Sequence, residues 1–302
     1  MKVEATEFYI PTQEPGVKLH ARLMLPKHDH LEAMEAEKHS NRGIFIVCHG
    51  LLDTKDTSLF RSVQEYLISK QFGSVAFDFR GNGRSTGITG YGNYHKEAED
   101  VAQVVEYMRK THQVIGILGH SKGASSVLLY AAKHSTDCPP LVISVSARFW
   151  LGRDASNRWK PHHLSALETE GKFFWRTFGG PRVKKEGENK DSQEETTPVR
   201  EYWITREDFE ERMATDMDAV RELPLHRTWV LNIAGDADRV VPVEDLWAYD
   251  RTMRQSPVHS DARVDTHVVP GGTHFWASPE ERAHLLRIID SWLDTVLPLS
   301  KL

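Results

Sequence analysis

The sequence predicts an α/β fold, with a mostly parallel central sheet flanked by helices, and three observations carry that expectation. Between residues 43 and 145 short apolar runs alternate with stretches of helical period, the pattern of βαβ units joined by right-handed crossovers. The alternation stops near Ala147 and resumes at 228–235, so one core is interrupted by an insert. Finally, the apolar run 114–118 passes through Gly119-His120-Ser121-Lys122-Gly123 directly into an apolar helical stretch. Such a sharp strand–turn–helix needs glycine on both sides of its central residue, because a Cβ there would clash with the adjoining strand and helix.

Taken in order, residues 3–10 and 18–26 are alternating runs separated by Pro11, Pro15 and Gly16, which predicts an antiparallel pair at one edge. Residues 27–42 are polar; His28, His30 and His39 match no common metal-ligand spacing and read as part of a solvated loop. Residues 43–48 are continuously apolar, as in a strand covered on both faces, and end in His49-Gly50-Leu51. Leu59, Phe60, Val63, Tyr66, Leu67 and Ile68 fall near a helical period across 57–70. Residues 74–77 then predict a strand, 95–110 a helix, 113–118 a strand, 122–133 a helix and 141–145 a strand.

The insert is dense in Phe and Trp, with a Lys/Glu/Asn/Gly-rich middle at 183–195 that reads as a solvated loop. It divides the chain into an N-terminal core part (1–146), an inserted cap or lid (147–226) and a C-terminal core part (227–302). Trp150 and Trp159 are expected to line an acyl or aryl pocket beneath it, since their large apolar faces suit such groups, with an ordinary core that only holds the insert together as the alternative. Strand 228–235 opens into Asp236-Ala237-Asp238-Arg239-Val240-Val241-Pro242, followed by helix 243–254 and a last strand, 262–269. Its exit loop carries Gly272-Thr273-His274. A closing amphipathic helix spans 278–297, with Ser278 ahead of Glu280 and Glu281 as its start signal.

With 302 residues, the chain can bury one substantial core. Its net charge of -5 argues against nucleic-acid or membrane-surface partners, which favour a concentrated basic face. Cys48 and Cys138 lie in strand-like runs without C-x-x-C spacing and read as buried, reduced packing residues. The first residues are acidic with no apolar h-region, and no stretch approaches the roughly 18 apolar residues of a membrane span; a soluble, non-secreted protein is expected. Gly81, Gly83 and Gly87 give G-x-G-x-x-x-G, one residue longer than the dinucleotide fingerprint, and neither H-E-x-x-H nor a P-loop occurs. No cofactor and no metal are therefore expected.

Chemistry assigns the candidates. Ser121 would project its hydroxyl from the strained turn as a nucleophile. The N–H of Lys122, at a helix N-terminus, faces developing negative charge, and the N–H of Leu51 is the second donor of an oxyanion hole. His274 lies on a loop where a base could reach Ser121, whereas His267 falls inside a strand. Asp236 and Asp238 both compete as the acid that orients the base. His49 is expected to brace its loop rather than catalyse. The Lys122 side chain is expected to be solvated, with covering the helix start or meeting an acidic substrate group as its alternatives.

Over roughly residues 15–297 the chain resembles the α/β-hydrolase superfamily. The likeness is carried by Cys48-His49-Gly50-Leu51, Asp78-Phe79-Arg80-Gly81-Asn82-Gly83-Arg84-Ser85, the elbow at Ser121, the stretch 235–242 and Gly272-Thr273-His274. The order serine, acid, histidine is that superfamily's. The motifs are most similar to capped esterases related to monoacylglycerol lipases and cinnamoyl or feruloyl esterases. The resemblance places the acid just before Val240-Val241-Pro242, which selects Asp238 and leaves Asp236 to cap its own turn. It implies a serine carboxylic-ester hydrolase, carboxylesterase- or lipase-like, acting on a small-molecule ester through an acyl-enzyme. An acyl thioesterase and a non-catalytic ligand receptor on the same fold are the alternatives. Serine rather than aspartate in the elbow speaks against epoxide hydrolases and haloalkane dehalogenases. The terminal Ser300-Lys301-Leu302 matches a receptor-read peroxisomal address. In a eukaryote this implies a peroxisomal import receptor as partner and a peroxisomal location, and otherwise a cytoplasmic one.

Overall fold

β1 (Lys2–Pro11) and β2 (Lys18–Lys27) pair antiparallel at one edge of the sheet. The computed structural model describes residues 2–27, 43–153, 158–180, 197–256 and 263–298. The expectations for His28, His30 and His39, for the polar stretch 183–195, and for Ser300, Lys301 and Leu302 lie outside those residues. β2 pairs antiparallel with β4 (Gly73–Phe77), and from there the sheet is parallel: β4, β3 (Ile44–Cys48), β5 (Val114–His120), β6 (Leu141–Val145), β9 (Trp229–Gly235) and β10 (Val264–Val269). β5 runs two residues beyond the apolar stretch because Gly119 and His120 still pair with Ser144 and Val145 of β6.

Every residue of β3, β4, β5 and β6 is buried, as strands covered on both faces require. The pleat sends alternate side chains to opposite faces. Ile46, Phe77, Ile117 and Val142 join a core with α2 (Tyr94–Arg109), α3 (Lys122–Lys133) and α6 (Val243–Arg254). Phe45, Val47, Leu118 and Ile143 face the other way, against α1 (Ser58–Ser69) and α7 (Pro279–Val296). The α7 start is a capping box: the Ser278 hydroxyl accepts the Glu281 N–H while the Glu281 carboxylate accepts the Ser278 N–H. Cys48 and Cys138 are buried and unpaired. Among the described residues no helix is long and apolar enough to cross a membrane.

Between β6 and β9 the chain forms α4 (Pro161–Thr169), a two-stranded antiparallel sheet of β7 (Lys172–Gly180) and β8 (Thr197–Thr205), α5 (Arg206–Ala214) and a 3-10 turn, Met217–Glu222. This region has its own small core: Trp159, Phe173, Tyr202 and Ile204 pack on Tyr91, which comes from the loop before α2. Met217 and Val220 instead belong to the main core.

Candidate active site

The turn between β5 and α3 is a strained elbow. Ser121 has φ 55° and ψ −122°, a left-handed backbone that costs a non-glycine residue energy and persists only where its surroundings fix it. Two close approaches do so. A Cβ on Gly119 would lie 2.6 Å from the Gly123 carbonyl oxygen, and one on Gly123 would lie 2.1 Å from that of His49. The Ser121 N–H donates to the Val145 carbonyl at 2.8 Å, tying the elbow to the next strand.

The loop after β10 brings His274 over the elbow, with its Nε2 2.9 Å from Ser121 Oγ and its Nδ1 2.8 Å from Asp238 Oδ2. A carboxylate only accepts, so Nδ1 carries the proton and Nε2 is left to accept the Ser121 hydroxyl. Asp238 is fixed from the other side, where its Oδ1 accepts the N–H groups of Val240 and Val241, both at 2.8 Å. Asp236 does something else than the expected capping of its own turn: its Oδ1 accepts the Gly271 N–H at 2.6 Å, which closes the β10 exit loop. His267 lies exposed within β10.

His120, which motif reasoning passed over, holds His274 from behind. Its Nε2 lies 2.7 Å from the His274 backbone carbonyl, an acceptor only, so Nε2 carries the proton. Burial, helped by the nearby His274, pushes the His120 pKa down to about 3, which keeps the ring neutral. The one available signal was its place inside the elbow.

Leu51 and Lys122 both border the cavity at Ser121, and among the described residues neither backbone N–H has an acceptor. The Leu51 loop is braced by His49, whose Nδ1 donates to the Gly50 carbonyl at 2.7 Å while Nε2 accepts the Phe79 N–H at 2.9 Å. Asp78 reinforces it by accepting the N–H of Lys55 at 2.9 Å and of Arg84 at 3.1 Å. A Cβ on Gly83 would fall 2.2 Å from the Asp78 carboxylate, so that loop can close only on glycine.

The side chain of Lys122 is not solvated, and its ammonium is taken up by protein partners rather than covering the helix start or being left for an acidic substrate group. It is buried, and its Nζ donates to Glu97 at 2.6 Å, to the Gly90 carbonyl at 2.8 Å and to Asn93. Burial pushes the ammonium below its usual range against the pull of Glu97. The physical reason is that α2 presents a buried carboxylate directly beside the start of α3, and an unpaired Glu97 there would be costly.

Ser121, His274 and the Leu51 loop open on a cavity of about 700 Å3. Neither Trp150 nor Trp159 lines it. Trp159 is 8 % exposed and serves the small core of the insert, and Trp150 packs edge-on against Phe149 and beneath Arg153. The lining aromatics are Tyr94, Trp175 and Phe275, accompanied by four arginines, Arg148, Arg158, Arg176 and Arg212. The expected aromatic lining is thus present but supplied by other residues, and it is accompanied by cations.

Ser121, His274, Asp238 and Leu51 follow β5, β10, β9 and β3, all at the carboxyl ends of parallel strands, where open α/β sheets place their sites. The sequence profile of the serine aminopeptidase S33 family matches residues 39–275. The chain belongs to the serine aminopeptidase S33 family. Among curated relatives, this S33 chain is 35% identical over 82 residues to the bifunctional esterase/perhydrolase DCH of Acinetobacter calcoaceticus, covering 27% of this chain and 29% of that protein. The chain spans less than a third of the length of the curated relatives it matches. In structure it is similar to Est1E of Butyrivibrio proteoclasticus, solved with ferulic acid bound, at TM-score 0.66 and 20% identity over 96% of this chain and 99% of that one. The Pyrococcus furiosus esterase Pf2001 gives TM-score 0.63 at 16% identity, over 97% and 90%. At those identities the likeness establishes a shared α/β-hydrolase fold.

Proposed function

We propose that this S33 chain is a serine carboxylic-ester hydrolase in which Ser121 is the nucleophile, His274 the base and Asp238 the acid that orients it. The observation that carries this reading is the unbroken relay of 2.9 and 2.8 Å contacts from Ser121 through His274 to Asp238. Ser121 Oγ adds to the ester carbonyl carbon as its proton moves to His274 Nε2. The carbonyl electron pair becomes an oxyanion facing the N–H groups of Leu51 and Lys122. Collapse breaks the C–O bond to the leaving group, which takes the proton from Nε2, and the acyl group stays on Ser121. Water then gives a proton to Nε2 and its oxygen to the acyl carbon, and Ser121 departs with that proton as the acid is released. Throughout, Asp238 holds the Nδ1 proton and offsets the charge of the imidazolium. Water is the one co-reactant these steps consume.

Within a family described as serine aminopeptidases, the lining favours an ester over a peptide amino terminus. An aminopeptidase must hold a free ammonium, and four guanidinium groups around the cavity repel one. The esterase activity named for the Acinetobacter relative supports the same choice. The insert, 147–226, acts here as the cap over the cavity, through Arg158, Trp175 and Arg176. The test is labelling by a fluorophosphonate probe together with turnover of p-nitrophenyl esters of graded chain length. The parent labels and turns over, while Ser121→Ala does neither. Equal labelling of the two proteins, or a folded parent that neither labels nor hydrolyses any ester, overturns the reading.

A further inference from the structure

The chain as a whole is acidic, with a net charge of -5, yet its cavity gathers cations from places far apart in sequence. Arg148 follows β6, Arg158 and Arg176 come from the insert around β7, and Arg212 lies on α5. Asp53 is the one carboxylate among the lining residues, and burial pushes its pKa up, toward the neutral acid.

Two of these guanidinium groups have no carboxylate paired with them among the described residues. Arg212 is 7 % exposed; its Nε donates to the Leu151 carbonyl at 3.0 Å and its Nη1 to the Tyr94 hydroxyl, and its charge lies 4.4 Å from the Tyr91 ring centre. Arg176 is exposed on β7 and lies 3.9 Å over the ring of Trp175. Partial desolvation of its head group and, after it, the nearby Arg158 push the Arg176 pKa down; the second cause is a crowding of like charges that an anion would relieve. By contrast Lys122 has Glu97, and Arg148 has Asp245 at 4.0 Å. A cationic pocket with aromatic walls, bordering a nucleophile, recruits anions through charge-assisted hydrogen bonds from guanidinium groups.

We infer that the pocket selects esters carrying a second, anionic group, a carboxylate or phosphate held against Arg176 and Arg212 beside Trp175 while the ester carbonyl lies at Ser121. The inference rests on the ester-hydrolase reading and narrows its substrate class. The anion can belong to the acyl part or to the leaving group, and two matched pairs separate these sources. Monomethyl adipate against methyl hexanoate differs by a terminal carboxylate on the acyl chain. Hexanoyl-CoA against the hexanoyl thioester of N-acetylcysteamine differs by the phosphates of the leaving group.

The measurement is kcat/KM on all four compounds for the parent, Arg176→Gln and Arg176→Glu, at low and high salt. Because Arg176 is exposed, these substitutions leave the fold intact. In the parent, the anionic member of at least one pair is preferred by about tenfold or more, the size of one charge-assisted hydrogen bond. That preference shrinks with salt, falls in Arg176→Gln and falls further in Arg176→Glu, mainly through KM. Turnover of methyl hexanoate without an anionic preference in either pair overturns the inference and leaves the ester reading standing, as does a preference that survives Arg176→Glu. A folded parent that hydrolyses none of the four and fails to label with fluorophosphonate refutes the ester reading itself.

Discussion

The ring of His120 donates from Nε2 to the backbone carbonyl of His274 at 2.7 Å, so the residue before Ser121 anchors the loop that carries His274. Losing that anchor frees His274 to move relative to Ser121. His120→Ala is expected to lower kcat by about ten- to a hundredfold with KM little changed, because misplacement of a catalytic group acts on the transition state. His120→Gln, which keeps an N–H near the same place, should recover part of the loss. Equal activity of the alanine and glutamine variants would show that His120 only fills space.

The same residue is expected to make the protein acid-sensitive. Its folded pKa of about 3 lies below the ordinary 6.5, so between those values the unfolded chain binds a proton that the folded chain does not. Stability from this group is complete above about pH 6.5 and is lost as the pH falls toward 3, by at most about 1.4 kcal/mol per pH unit. His49, His274 and Asp238 are its charged or titratable neighbours. Urea unfolding between pH 4 and 7 should therefore show a shallower pH dependence for His120→Gln than for the parent. Parallel curves would refute this.

Asp238 and Asp236 are two residues apart and should behave very differently. Asp238→Asn leaves a side chain that can donate to His274 and so favour the wrong tautomer, and kcat is expected to fall by about 10^3- to 10^4-fold. Asp236→Asn keeps an oxygen for the Gly271 N–H and should cost less than about tenfold. Steady-state kinetics on a short p-nitrophenyl ester decides; the reverse ranking would move the acid to Asp236.

Lys122 and Glu97 form a buried pair at 2.6 Å. Removing one member strands the other's charge, at a cost of about 3–5 kcal/mol, whereas replacing both by apolar residues of similar volume restores much of it. Chemical denaturation of Lys122→Met, Glu97→Leu and the double variant should therefore give a double-variant loss well below the sum of the singles. Additive losses would mean that the pair is not coupled.

Trp159 and Trp175 separate holding the insert together from choosing substrate. Trp159→Ala opens the small core around Phe173, Tyr202 and Tyr91, and should lower stability by about 3–5 kcal/mol while reducing turnover of small and large esters alike. Trp175→Ala removes part of the cavity wall. It should reduce kcat/KM for bulky esters about ten- to a hundredfold more than for acetate esters. A large selectivity change in Trp159→Ala, with none in Trp175→Ala, would contradict the observed cavity.

Much of this molecule was legible in its sequence. The buried strands are continuous apolar runs, their helices keep a helical period, and Ser278 with Glu281 marks a start that the backbone then uses. Ser121 and His274 were legible because a glycine-flanked elbow and a loop after the last strand leave few ways to meet. Asp238 needed a resemblance to separate it from Asp236, since the partner that occupies Asp236 is Gly271, 35 residues away. Lys122 was misjudged for a similar reason: a lysine beside a nucleophile looks solvated until Glu97 comes alongside from another helix. The four arginines and Trp175 follow no period or motif, and only the folding of the insert brings them to one cavity. Within the insert every tryptophan looks alike in sequence, although Trp159 packs inward and Trp175 borders the cavity.

Arg148 donates from Nη1 to the Val240 carbonyl at 2.7 Å and through Nη2 to the Arg153 carbonyl, while the Val240 N–H holds Asp238. The first turn of the insert is thereby stitched to the loop that holds Asp238. For protein engineering this sets where the two regions can be cut apart. A chimera that exchanges the insert at Ala147 removes the stitch from its host and slackens Asp238, even if the transplanted segment folds well. Splicing after Arg153 keeps Arg148 with the scaffold, so the insert can be exchanged without loosening Asp238.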